Sequence, residues 1–139
     1  AEPAKPLNLD VRPILNKLNG TLDSSIMITF RIFLSVLLAS LIGYTAVVIA
    51  NHGMGLLPIF FGDILRLNWP GQFNLDFLFM LTLSAAWTAW RNRFSTIGIV
   101  LAFFALIGGS LFLTVYLLLL TWHTNGDVKR ILIGDKRLP

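Results

Sequence analysis

The chain has no cysteine, which excludes disulfides, thiolate metal sites and cysteine nucleophiles. It is also short of charge: Asp, Glu, Lys and Arg make up 13% of its 139 residues, about half the share a soluble domain carries. No carboxylate pair, nucleophile beside a base, phosphate-binding glycine loop or zinc motif is present, so an enzyme is not expected. There is no internal repeat and no low-complexity tract.

What is abundant is apolar sequence, 55% of residues, with a mean hydropathy of +0.74. It is gathered into runs near residues 26–50, 71–92 and 96–122. A helix of about 20 apolar residues crosses a hydrocarbon core of about 30 Å. Lipid offers no partner to a backbone amide, so such runs must be helical. The expected fold is an all-α integral membrane protein of three transmembrane helices. A polar tail over 1–25 precedes them and a basic tail over 123–139 follows.

Within the first tail, Ile14, Leu15, Leu18 and Leu22 share a helical face. They suit either a short helix on the membrane surface or an unstructured tail. Asp23, Ser24 and Ser25 are good caps for the first span, which is expected to act as its own insertion signal. Arg31 sits about a turn and a half inside that span, close enough to reach back to the headgroups. Residues 58–68 are apolar but too short to cross, and Asp63, Arg66 and Asn68 interrupt them. They read as an interfacial helix. Trp69, Trp87, Trp90 and Trp122 fall near span ends, as interfacial aromatics do.

Small residues recur four apart as Ser35, Ala39 and Gly43, as Ala85 and Ala89, and as Gly98 and Ala102, with Ala105 and Gly109 beyond. Such spacing lets helix backbones approach closely. Gly108-Gly109-Ser110, deep in the third run, reads as part of this packing. Three straight spans would place His52, Asp63, Asn74, Asp76 and His123 on one side of the membrane. Those residues form either a structural polar cluster or a ligand set for a metal or tetrapyrrole. The same topology puts six bases on one side and five on the other. The short Arg91-Asn92-Arg93 connection tips the balance towards a cytoplasmic amino terminus and an outward carboxyl terminus.

Three segments carry a resemblance. They are Gly71-Gln72-Phe73-Asn74-Leu75-Asp76-Phe77, then Ser84 through Ser95 with its Trp87-Thr88-Ala89-Trp90-Arg91-Asn92-Arg93 core, and Gly126-Asp127-Val128-Lys129. Over roughly Trp69 to Gly134 the chain resembles a family of small uncharacterised bacterial inner-membrane proteins. The resemblance implies that membrane and no activity. The expected role is a non-catalytic accessory or scaffolding subunit of a larger membrane complex, photosynthetic or respiratory in type. Its partners would be other transmembrane subunits and the lipid bilayer, not nucleic acid. The alternatives are a binder of a hydrophobic cofactor (quinone, carotenoid, chlorophyll or another pigment, or lipid) and an oligomeric ion or proton pathway centred on Asp76.

Overall fold

The structure, a computed structural model, describes residues 11–135. The outer parts of both expected tails lie outside the described residues. Among the described residues every element is helical: α1 Arg12–His52, α2 Leu56–Leu65, α3 Trp69–Arg91, α4 Thr96–His123 and α5 Val128–Ile133. By length and composition α1 and α4 are long and apolar enough to cross a membrane.

α1 is one helix of 41 residues, about 61 Å long at 1.5 Å per residue. No break separates a surface helix from the first apolar run. Pro13 stands in the first turn, where its missing N–H costs nothing. The hydroxyls expected to cap a span at Ser24 and Ser25 do not. Ser24 Oγ donates to Thr21 O at 2.8 Å, and Ser25 O accepts from Thr29 Oγ1 at 3.0 Å. Hydroxyls satisfied by their own helix leave the backbone free to continue.

α2 covers 56–65, slightly earlier than the expected 58–68, and folds against the start of α3. Asn68 caps α3, its Oδ1 accepting from Gly71 N at 3.0 Å. Gly71 is required here, because a Cβ would lie 2.1 Å from the Asp63 carbonyl oxygen. Asn74 Nδ2 donates to Phe60 O, and the Phe60 and Phe77 rings meet edge-on.

The third apolar run departs most from expectation. Gly109 has φ 53° and ψ −137°, a non-helical conformation inside α4. Leu101 packs with Tyr116 and Leu120 in one cluster. In a straight helix Leu101 and Leu120 would be about 28 Å apart. α4 is therefore a hairpin of two antiparallel limbs, turned at Gly109 and tucked beside Phe77 and Leu81 of α3. Each limb is about 20 Å long, short of a hydrocarbon core of about 30 Å. The glycines read as packing residues form a turn, because φ 53° with that ψ suits glycine almost alone. Gly98 and Ala105 are buried on the first limb and Thr114, Tyr116 and Leu118 on the second.

α3 packs mainly on α4, and α1 packs on α4 through Met27, Phe30 and Arg31, with Leu34 buried one turn further along. The folded α4 brings its own two ends, the carboxyl end of α3, the first half of α1 and α5 to one end of the molecule. The last turns of α1, α2 and the first turns of α3 form the other.

Candidate functional site

The gathering of helix ends is organised by Arg91. Asp127 caps α5, its Oδ1 accepting from Arg130 N at 3.1 Å, and Gly134 ends it at φ 83°. So short a helix cannot hold itself in water, and α3 supplies what it lacks. Arg91 Nε donates to Ile131 O at 2.6 Å and its second terminal nitrogen, Nη2, to Arg130 O at 3.0 Å. Trp87, one turn earlier, donates through Nε1 to Leu132 O at 3.2 Å. Three successive carbonyls at the negative end of α5 are thus met by donors from one face of α3, two of them from a cation. Gly134 closes over the result: a Cβ there would lie 2.9 Å from Arg91 O.

Tyr116, on the returning limb of α4, joins the same network. Its ring stacks on Phe112, with centroids 5.4 Å apart, and meets Trp87 edge-on at 6.1 Å. The Arg91 guanidinium carbon lies 5.8 Å from the Tyr116 ring centre. The hydroxyl accepts from Arg91 Nη1 at 3.2 Å and from Asn92 Nδ2 at 2.8 Å.

A second arginine ties α1 to the same region. Arg31 Nε donates to Thr121 Oγ1 at 3.0 Å, and its Nη2 to Thr121 O at 2.7 Å. Arg31 is therefore a tie between helices, not a side chain reaching back to headgroups. The same Thr121 carbonyl accepts from Gly126 N at 2.9 Å, and Gly126 packs on Met27.

Between the two limbs of α4 lies a crevice of about 330 Å³, lined on its polar side by Arg91, Asn92, Ser95, Tyr116, His123 and Asp135. Arg91 and Tyr116 are each 8% exposed. Arg66 pairs with Asp63 and Arg130 with Asp135, and among the described residues no carboxylate contacts Arg91 directly. The hydrogen bond from Arg130 holds the exposed Asp135 carboxyl below its ordinary range, and the charges of Arg130, His123 and Arg91 act in the same direction.

The expected polar cluster is divided by the fold-back. His123 stands beside Thr121, which Arg31 holds. His52 lies 21 residues further along α1 than Arg31, about 31 Å away. His52 and His123 are thus at opposite ends. Asp63 pairs with Arg66 at 3.2 Å, Asn74 serves Phe60, and Asp76 is exposed on α3. Among the described residues no group of three His, Cys, Asp or Glu is placed to hold a metal.

The small-residue stripes also divide. Ala89 and Gly98 are buried, and Ala85, Ala102 and Gly109 half-buried. Ser35, Ala39 and Gly43 are exposed, and a Cβ on Gly43 would meet nothing within 4 Å. Sequence reasoning missed Arg91, Trp87 and Tyr116 as a unit. The signal was partial, since the Trp87–Arg93 segment stands out in the sequence but the carbonyls it meets, those of Arg130, Ile131 and Leu132, lie just beyond the Gly126–Lys129 segment. Their contact needs the turn at Gly109. No family model, curated protein or solved structure matches the chain.

Proposed function

We propose that the chain is a non-catalytic accessory or scaffolding subunit of a larger membrane complex. The observation that carries this reading is the bare surface of α1. Beyond Leu41 every residue of the helix is exposed, including Ile42, Val47, Val48 and Ile49, and the Ser35–Ala39–Gly43 stripe is open as well. The α4 hairpin stops at Phe77 and Leu81, so the far half of α1 has no neighbour of matching length. Apolar helix surface with small residues in register suits close contact with another transmembrane helix.

The charge distribution supports an orientation. Lys5, Lys136 and Arg137 are outside the described residues. Of the other eight bases, Arg12, Lys17, Arg31, Arg91, Arg93, Lys129 and Arg130 lie at the Arg91 end, and Arg66 alone at the far end. By the positive-inside rule the Arg91 end is cytoplasmic. The even balance expected from three straight spans gives way, on this reading, to seven bases against one, because α5 lies at the Arg91 end. On this reading α1 and α3 cross the membrane, which the resemblance places as a bacterial inner membrane, and α4 dips into it and returns. Both ends of the described chain then lie on the cytoplasmic side.

Purification in mild detergent, with identification of co-purifying chains, tests the proposal. Stoichiometric membrane partners are expected, whereas a stable monomer that retains no partner would refute it. A second reading has one observation in its favour. A crevice of about 480 Å³ runs between α1 and α2, lined by Leu41, Tyr44, Val48, His52, Leu56 and Ile59 among others. It suits a hydrophobic cofactor such as a quinone or lipid, and a bound chromophore in the same preparation would favour it.

A further inference from the structure

Arg91 is a buried cation with incomplete partners. A guanidinium has five N–H donors, and three are used, on Ile131 O, Arg130 O and Tyr116. Its direct contacts are carbonyl dipoles and the Tyr116 hydroxyl and ring, and the Asp135 carboxylate acts on it only through space. An ion removed from water without a counter-charge is costly.

The Tyr116 hydroxyl is incomplete in the complementary sense. Asn92 Nδ2 is oriented by a 2.8 Å bond to the Thr88 carbonyl, which only accepts. Asn92 therefore donates to Tyr116, as Arg91 does. A hydroxyl that accepts twice still has its own proton to give. No acceptor for it is present among the described residues, and the side chain lines the 330 Å³ crevice.

The third element is the start of α4, at the same crevice through Ser95 and Ile97. Gly98 N is taken by Ser95 Oγ and Ile99 N by Ser95 O, which leaves the Thr96 and Ile97 amides without helical partners. Such amides sit at the positive end of a helix. One carboxylate, Asp135, also lines the crevice, and its charge is engaged by Arg130.

We infer that this crevice binds a phosphate group, with Arg91 supplying the charge and Tyr116 donating its hydroxyl proton. A tetrahedral phosphate offers oxygens to donors that converge from several directions, and arginine suits it better than any other side chain. The group belongs either to a lipid headgroup or to a free phosphate. The inference does not depend on the accessory role.

The test uses the full chain in a neutral detergent at fixed ionic strength. Its thermal midpoint is followed while inorganic phosphate replaces chloride. In a second arm phosphatidic acid is added to the micelle, against diacylglycerol, which lacks only the phosphate. The midpoint should rise in at least one arm. A rise with phosphatidic acid alone assigns a headgroup; one with inorganic phosphate assigns a free anion. No rise in either arm overturns the inference. Because Arg91 also holds α5, the decisive variant is Tyr116→Phe, which keeps the ring. The concentration giving half the rise should increase about tenfold, the factor that about 1.4 kcal/mol represents. An unchanged half-rise concentration would overturn the assignment of Tyr116. Reading that concentration, not the absolute midpoint, separates lost binding from lost stability.

Discussion

The two ends of this molecule are built from similar sequence and are opposite in construction. At the Arg91 end α1, α3, the two ends of the folded α4 and the short cap helix interlock through Arg31, Arg91, Trp87 and Tyr116. At the far end the exposed last turns of α1 share only an open crevice with α2, and α2 rests on α3 through Phe60, Asp63 and Asn74. Both ends have polar residues to place. At the Arg91 end they cross between elements and satisfy helix carbonyls. At the far end Asp63 pairs with Arg66 three residues away, while His52 and Asp76 stay exposed. Polar groups bind a fold together when they reach across elements. The difference identifies the Arg91 end as the structural centre and leaves the far end as exposed, largely apolar surface.

The largest effect should come from Arg91→Met. It leaves the Ile131 and Arg130 carbonyls without donors, each costing about 1–3 kcal/mol when buried. The tail should become sensitive to a protease that cuts after Lys129, and the thermal midpoint in detergent should fall sharply. By contrast, His52→Ala or Asp76→Leu at the far end should cost under about 0.5 kcal/mol. Comparable losses at both ends would erase the distinction.

Gly109→Val should come next. A side chain at φ 53° is strained, and its Cβ would approach Leu81 and Phe77 at 3.3 Å. The expected cost is about 1–3 kcal/mol, read as a lower midpoint. Leu at Gly43 should change the stability of the isolated chain by less than about 0.5 kcal/mol, because the site is open. The same variant should reduce recovery of co-purifying chains. That combination separates a surface held for a partner from one that faces only lipid.

The smallest effect concerns the Asp135–Arg130 pair. The Asp135 carboxyl titrates below its reference value of 3.8 because Arg130 hydrogen-bonds to it. A depressed carboxyl stabilises fully above the unfolded value and loses that contribution as pH falls through the folded one. Protease sensitivity of the tail should therefore rise slightly below about pH 3.8, less so in high salt, since the pair is exposed. Asp135→Asn should abolish that step.

Much of the secondary structure was legible. The apolar runs near 71–92 and 96–122 anticipate the extents of α3 and α4, and the interrupted stretch 58–68 anticipates α2, because hydropathy is read along the chain itself, whereas the caps expected at Asp23, Ser24 and Ser25 fall inside α1. The fold-back was not legible. Residues 96–122 satisfy every compositional test for one straight helix, and a Gly-Gly pair serves close packing and a turn equally well. What decides is distant: Tyr116 finding Arg91 and Asn92, and Arg31 finding Thr121. With the turn missed, α5 and its bases were grouped with the far end of the molecule, His123 was grouped with His52, and the crevice at Arg91 could not be foreseen. Arg91 itself read as a charge in a loop, because its partners lie about 40 residues on, in a helix of six.

The central claim is that α4 returns to the side from which it starts. The chain contains no cysteine, so single cysteines can be introduced without a background. Lys17→Cys, Leu65→Cys and Lys129→Cys place thiols on the first half of α1, at the end of α2 and on α5. An impermeant thiol reagent, applied to intact membranes and again after permeabilisation, reads the side of each. The fold-back predicts that residues 17 and 129 label from one side and residue 65 from the other. Labelling of residue 129 together with residue 65, and opposite to 17, would mean that α4 crosses the membrane as a straight helix and would contradict the account.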